Sequence, residues 1–246
     1  MFLDDQGIVL QVVRYDDRSS VVHIFTRSHG TVPFIVTRPK SRLSPGSAVH
    51  ALMAPLHILS FQWDMKPTGT LFRMKDVHAA AVWQTIPYHP VKRAIALLLG
   101  EYMAAMLREE GENALLFDHI VQALRWLDTA DDGFANFHLV FLLEVARILG
   151  IAPDTDSFVR GYAFDIEAAT FVPYAPATPF VMTAPDADLL YRLIRTDYPA
   201  MTAIRMARTD RSRLLNYLTR FFTCHLPAFP DIKSLEVLET LFENHG

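Results

Sequence analysis

Three cations stand within five residues of one another, at Arg38, Lys40 and Arg42 in the segment R-P-K-S-R. Prolines break any regular element here, so the pattern predicts a loop. Clustered cations without an acid offer charge and hydrogen-bond donors to phosphate groups. The alternative is a solvated loop that binds nothing. Residues 26–75 contain seven bases against one acid, Asp64, so the positive charge extends beyond the loop.

Three further bases of this span, Arg27, Arg73 and Lys75, are predicted to extend a phosphate-binding track. Proteins that bind single strands combine such charge with aromatic rings that stack on bases. The available rings are those of Tyr15, Phe34, Phe61, Trp63 and Phe72. Because side chains alternate between the faces of a strand, some of these rings must belong to the core. Phe61 and Trp63 share a face, and we expect them to be buried together.

A second basic cluster consists only of arginines: Arg192, Arg195, Arg205, Arg208, Arg211, Arg213 and Arg220. Asp197 and Asp210 are the only acids in that span. Arginine suits bidentate contact with carboxylate or phosphate. Two interpretations stay open, a phosphate-binding surface or internal pairing with acids. The candidate acids for that pairing are Glu101, Glu109, Glu110 and Glu112.

Catalytic and metal-binding motifs are not recognisable. The sequence has no glycine-rich phosphate loop, no G-x-S-x-G elbow and no H-E-x-x-H helix. Cys224 and His225 are neighbours on a predicted helix and therefore point in different directions. His50 and His57 are an odd number of residues apart, which places them on opposite faces of a strand. We therefore predict no catalytic residue, no metal site and no enzymatic activity.

The elements that must position these residues are of two kinds, which predicts an α+β fold. Strands are predicted at residues 7–13, 20–26, 31–37, 48–53 continued by 56–63 after an interruption at Pro55, and 71–77. Five short strands favour a small closed barrel. Helical periodicity follows at residues 90–106, 113–127, 137–148, 186–196, 200–206, 211–225 and 232–242. Between them, residues 151–185 are rich in proline and aromatics and predict an irregular insert with one small hairpin, 162–164 against 170–172.

Charge divides the chain at the same place as the predicted elements. Residues 1–80 have a net charge of +3 and residues 81–246 a net charge of −7. We expect a basic binding domain at 1–80 and an acidic helical domain at 81–246. The single cysteine, the acidic start of the chain and the lack of a long apolar run predict a soluble cytoplasmic protein with no membrane contact.

The order of several short motifs resembles the RecO family of bacterial recombination mediator proteins. The motifs are G-I-V-L at 7–10, V-H-I-F-T-R-S-H-G at 22–30, R-P-K-S-R-L-S-P-G at 38–46, L-L-E-V-A-R-I-L-G-I-A-P-D at 142–154, R-L-L-N-Y-L-T-R-F-F-T-C-H-L at 213–226 and K-S-L-E-V-L at 233–238. The resemblance implies an N-terminal five-stranded OB-fold barrel followed by an all-α helical domain. It also implies binding of single- and double-stranded DNA on the nucleoid, strand annealing, and loading of recombinase onto DNA coated by single-strand-binding protein. The implied protein partners are RecR and the acidic C-terminal tail of the single-strand-binding protein.

The chain departs from this family pattern in its insert. Many members have a four-cysteine zinc module there, whereas this sequence has Phe158 and Gly161 at the spacing of the first cysteine pair. We expect an aromatic core in place of zinc. The resemblance also implies a pocket for the tail peptide in the helical domain. Its candidate residues are Phe117, Val121 and Phe141 for the apolar pocket and Arg125 and Arg147 for the rim.

A second functional class fits the same residues. The chain could be a protein–protein adapter whose barrel binds a protein partner and has little affinity for DNA. The salt dependence of DNA binding distinguishes the two classes, because phosphate contacts release counterions.

Overall fold

A five-stranded antiparallel sheet forms the start of the chain. The structure is a computed structural model, and it describes residues 2–37, 39, 47–64, 70–174 and 178–235. The strands are β1 (Phe2–Arg14), β2 (Ser19–Thr26), β3 (Gly30–Thr37), β4 (Ile58–Asp64) and β5 (Met74–Ala79). Their order in the sheet is β3-β2-β1-β4-β5, so the long strand β1 is central and pairs on both sides.

The predicted closure into a barrel is not observed. Within the described ranges, no strand ladder joins β3 to β5, so the sheet stays open. Among the described residues, a parallel bridge between Phe34 of β3 and Phe72, just before β5, links the two edges. There the Ile35 amide donates to the Phe72 carbonyl at 2.8 Å, and the Phe72 amide donates to the Pro33 carbonyl at 3.1 Å. The five strands are confirmed, and this bridge stands where a barrel would continue its ladder.

Aromatic rings fill the inner face of the sheet. Phe61 and Trp63 are 2% and 1% exposed, which confirms that they are buried together. Phe34 contacts both rings edge-on, with centroid distances of 5.3 and 5.4 Å. Burial of each ring stabilises the fold by about 2 kcal/mol, so these side chains are core residues.

One predicted strand segment is a helix. Residues 48–53 were expected to be extended, but α1 (Ser47–Ala51) occupies this position. A short apolar run has no periodicity that separates strand from helix, which explains the error. Leu56, at a positive φ of 63°, then turns the chain into β4.

Two longer helices, α2 (Pro90–Met106) and α3 (Ala114–Thr129), follow the sheet. The β2–β3 turn docks on the segment between them. The Thr31 amide donates to the Glu110 carbonyl at 3.0 Å, and the Thr31 hydroxyl donates to the Leu107 carbonyl. Gly30 has a φ of 70°, and a Cβ there would lie 2.2 Å from the Glu110 oxygen. Only glycine fits a positive φ at so close an approach.

The chain divides into two compact units, Met1–Gln122 and Ala123–Gly246. The sheet, α1 and α2 belong to the first unit. The boundary predicted after residue 80 follows directly on the end of β5 at Ala79. The second unit contains α4 (Phe137–Ile148), α5 (Ala184–Ile194) and α6 (Arg208–His225).

Short elements in the second unit differ from the prediction. The helix predicted at 200–206 is a four-residue 3₁₀ turn, Ala200–Ala203. Another 3₁₀ turn, Phe134–Asn136, precedes α4. Of the helix predicted at 232–242, only residues 234 and 235 are described as helical, and residues 236–242 lie outside the described ranges.

The insert forms a small sheet on an aromatic cluster. The hairpin is confirmed as β6 (Ala163–Asp165) paired with β7 (Thr170–Val172), and an unpredicted third strand, β8 (Val181–Met182), pairs with β6. The Phe158 ring stacks on Tyr191 with centroids 3.6 Å apart and planes 5° apart. Phe158 also meets the Phe171 ring edge-on at 5.1 Å. The aromatic core expected for the insert is therefore present, and it is formed by Phe158, Phe171 and Tyr191.

Candidate nucleic-acid interface

A groove of about 220 Å³ lies between α1 and the two edge strands of the sheet, β3 and β5. We call it the β3–β5 groove, and it is lined by Ile35, Val36, Thr37, Val49, Arg73, Met74 and Val77. The chain leaves β3 after Thr37 and returns at Ser47, where α1 begins. Thr37, which precedes the predicted basic loop in the sequence, and Val49, which follows it, therefore both line the groove. Arg38, Lys40 and Arg42 themselves lie outside the described residues.

Arg73 is the cation among the groove residues. Its side chain is exposed. The preceding residue is fixed on two sides, because Phe72 bridges to Phe34 through backbone hydrogen bonds and its ring lies 5.1 Å from that of Trp63. The backbone before Arg73 is thus held in place, and its exposed guanidinium is available at the groove for contact with a phosphate.

Lys75 is not among the groove residues. It is in register with Gln62, which lies between the core residues Phe61 and Trp63 and so faces the other side of the sheet. The Lys75 ammonium lies 4.0 Å from the centroid of the Phe2 ring. Lys75 therefore projects from the outer face.

Arg27 has a carboxylate partner. Its Nε donates to Asp118 Oδ1 at 3.0 Å and its Nη2 donates to Oδ2 at 2.8 Å. These hydrogen bonds raise the pKa of Arg27 and lower the pKa of Asp118. In this structure the negative charge of Asp118 therefore balances the positive charge of the Arg27 guanidinium.

Acidic side chains also surround Arg27 in a polar pocket of about 480 Å³. Its lining residues are Asp4, Asp5, Gln6, Arg27, Ser28 and Ser60. The Asp5 carboxylate is buried and accepts hydrogen bonds from the Ser28 hydroxyl at 2.6 Å and the Trp63 indole at 3.3 Å. Carboxylates repel phosphate, so this pocket suits a nucleic-acid backbone less well than the β3–β5 groove.

Arg14 was not among the predicted sites. It is in register with Ser20, which in turn is in register with Val36 of the groove. Arg14 donates to Asp17 in the β1–β2 turn, and both side chains are exposed. Arg14 is therefore two strands away from Val36 in the sheet, and no local motif in the sequence could indicate this alignment.

The residues predicted to bind a tail peptide occupy different environments. Phe117 is 1% exposed, with its ring 6.2 Å from that of Phe25 in the first unit. Phe141 is fully buried in the second unit. Val121 is half-buried and Arg125 is exposed, whereas Arg147 donates to Glu144 at 2.7 Å. The tail pocket stays a prediction, and both phenylalanine rings already pack in a core.

The arginines of the second cluster have several kinds of partner. Arg213 donates to the buried Asp186 at 2.7 Å and to Asp210 at 2.9 Å. Arg211 and Arg220 each donate to a backbone carbonyl at 2.8 Å. Internal contacts therefore engage these three arginines. Arg192 and Arg205 are exposed, and Arg195 lies 5.6 Å from the Tyr191 ring.

Cys224 and His225 do not form a nucleophile and base. A ring nitrogen of His225 lies 2.8 Å from the Ile166 carbonyl oxygen. Desolvation, with Glu167 nearby, raises the pKa of the Cys224 thiol, which opposes formation of a thiolate. The Cys224 side chain is exposed and His225 is half-buried.

The part of the chain that the structure describes contains neither a candidate metal site nor a candidate membrane span. No group of three or more His, Cys, Asp or Glu side chains there could hold a metal ion. None of the helices in the described ranges has both the length and the apolar character of a membrane span.

Comparison with known proteins assigns both halves of the chain. Residues 1–82 match the family model "Recombination protein O N terminal", and residues 89–236 match "Recombination protein O C terminal". The chain is 40% identical over 238 residues to the DNA repair protein RecO of Bacteroides fragilis, covering 96% of this chain and 98% of that protein. It is 39% identical over 236 residues to the protein of the same name from Phocaeicola vulgatus, covering 96% and 97%. It is 31% identical over 242 residues to that from Flavobacterium psychrophilum, covering 98% and 100%. The chain belongs to the RecO family of DNA repair proteins.

Proposed function

We propose that this chain binds DNA through the β3–β5 groove and the basic loop that adjoins it. Arg73 contacts a phosphate from the groove, and Arg38, Lys40 and Arg42 contact phosphates from the loop. Lys75 and Arg27 extend the track when the DNA strand passes the outer face of the five-stranded sheet. The observation that carries this proposal is the exposed side chain of Arg73 at a groove that is also lined by Thr37 and Val49, which flank residues 38–46 in the sequence.

In this role the chain acts as a recombination mediator in the cytoplasm, on the nucleoid. It anneals single strands and helps to load recombinase onto DNA coated by single-strand-binding protein, without a catalytic step of its own. Double-stranded DNA binds through the same phosphate contacts, which do not depend on base sequence. The family membership and the name "DNA repair protein" of the relatives support this role.

Protein partners are proposed for the acidic portion of the chain. Residues 81–246 have a net charge of −7, which disfavours contact with DNA over most of their surface. RecR and the acidic tail of the single-strand-binding protein are the proposed partners. Arg125, which is exposed, is the available cation for the tail, whereas Arg147 must first release Glu144.

A protein–protein adapter is the second candidate. The observation that favours it is the burial of Phe34, Phe61 and Trp63, because a buried ring cannot stack on a base. Of the five candidate rings, Tyr15 is 61% exposed and Phe72 is half-buried. Under this alternative, binding to DNA is weak and depends little on salt.

The substitution Arg73→Ala tests the proposed groove. We expect weaker binding to labelled single-stranded DNA, by a similar factor for different base sequences, because phosphate contacts do not read sequence. The slope of log K against log salt should become shallower by about 0.7, the value for one phosphate contact on a single strand. Fluorescence anisotropy at several salt concentrations measures both quantities.

Arg93→Ala is the matched control. Arg93 is an exposed arginine on α2 that makes none of the described ion pairs and does not line the groove. Its removal changes the net charge equally and should leave the affinity and the slope close to those of the wild type. Equal behaviour of the Arg73 and Arg93 variants would contradict the assignment of the groove.

A further inference from the structure

Arg27 and Asp118 form an exposed pair with the geometry of a phosphate contact. The two nitrogens of the guanidinium edge meet the two carboxylate oxygens at 3.0 and 2.8 Å. Arginine uses the same edge to hold phosphate in a bidentate contact. Each side chain is 48% exposed, so a ligand can reach both.

The backbone on both sides of the pair is fixed. Phe117, the neighbour of Asp118 on α3, packs on Phe25, two residues before Arg27 in the chain. The Arg27 amide donates to the Gln6 carbonyl at 2.8 Å, and Thr31 beyond the turn is held by the Glu110 carbonyl. The backbone therefore keeps the Asp118 carboxylate near the Arg27 guanidinium even when the ion pair between them is broken.

We propose that Asp118 occupies the Arg27 guanidinium in place of a DNA phosphate and thereby limits the contribution of Arg27 to DNA affinity. This inference rests on the proposed function. An exposed ion pair adds little stability, so a phosphate can displace the carboxylate. The displaced carboxylate stays close and repels the phosphate, as do the acids of the neighbouring polar pocket. Asp118 is thus a negative determinant of affinity, which weakens the hold on DNA at one edge of the track.

The substitution Asp118→Asn removes this competitor and keeps the size of the side chain. We expect the variant to bind labelled single-stranded DNA about two- to fivefold more tightly than the wild type, the range that corresponds to an exposed ion pair. The salt slope should become steeper by about 0.7, for one additional phosphate contact. The double variant Arg27→Ala with Asp118→Asn should show neither gain.

Glu112→Gln is the control for the loss of one negative charge. Glu112 is exposed in the segment before α3 and makes none of the described ion pairs. Its replacement should change affinity much less than Asp118→Asn. Thermal unfolding verifies that each variant is folded, and Asp118→Ser replaces Asp118→Asn if the latter is not.

Three results would overturn the inference. The Asp118 variant could bind no more tightly than the Glu112 variant, or the double variant could retain the full gain. In these two cases weaker binding by Arg73→Ala would leave the proposed function standing. If the wild type itself shows no salt-dependent binding to DNA, the proposed function and this inference fail together.

Discussion

Burial and nearby charges shift the pKa values of individual side chains in this molecule. His138 on α4 is 1% exposed, and burial, with the charge of Arg211 nearby, lowers the pKa of His138 to about 3. The imidazole is therefore neutral in the folded protein at any pH at which the chain would work. In the unfolded chain the same group titrates near 6.5. The difference links the stability of the second unit to pH.

The free energy of unfolding should decrease as the pH falls from 6.5 towards 3. In that window the unfolded histidine binds a proton and the folded one does not, so acid favours the unfolded state, by at most about 1.4 kcal/mol per pH unit for this residue. Denaturant unfolding at pH 7 and pH 5 measures the decrease. His138→Gln should reduce this pH dependence, and an identical pH dependence in both proteins would contradict the assignment to His138.

At the scale of elements, the aromatic cluster explains how the insert folds. Phe158, Phe171 and Tyr191 join β7 to α5 through ring contacts of 3.6 to 6.1 Å. The three strands of this sheet have only two or three residues each, too few to be stable alone. The rings therefore supply the packing that holds these strands in place.

Phe158→Ala should lower the free energy of unfolding of the second unit by about 2 kcal/mol, less than for a fully buried phenylalanine because Phe158 is half-buried. Phe180→Ala is the control, since Phe180 is 39% exposed. Thermal unfolding with and without a chelator should give the same midpoint for the wild type. A lower midpoint with the chelator, or a Phe158 variant as stable as the control, would contradict the aromatic account.

Much of the element pattern could be predicted because it depends on local periodicity. The strands around residues 20–26 and 31–37 are rich in β-branched and aromatic residues, the helix at 90–106 has clear helical spacing, and the structure places all three there. The run at 48–53 is too short to show a period, and β8 has two residues, so neither could be assigned correctly. Pairing across long separations is also invisible locally. The contact of Arg27 with Asp118, 91 residues away, is the clearest case.

A phosphate-binding site could be proposed from the sequence, but the arrangement of its residues on the sheet could not be predicted. The basic composition of residues 26–75 indicates phosphate binding, and Arg73 lines a groove together with Thr37, the residue before the predicted loop. The composition does not show that Lys75 projects from the other face or that the rings near these cations are buried. Those features depend on strand register and on which face of the sheet packs.

At the scale of the whole molecule, charge separates two kinds of binding. Residues 1–80 have a net charge of +3, whereas the rest of the chain has a net charge of −7. Long-range electrostatic attraction to a polyanion is therefore expected from residues 1–80. The acidic remainder suits partners that are recognised by shape or by local arginines.

The most direct test of this account compares the wild type with the variant in which Arg38, Lys40 and Arg42 are all alanine. Fluorescence anisotropy with labelled single-stranded DNA, at low and high salt, gives the affinity and its salt dependence. We expect weaker binding by the variant for all base sequences and a slope shallower by about 2, for three lost phosphate contacts. Unchanged affinity and slope in the triple variant would contradict the account.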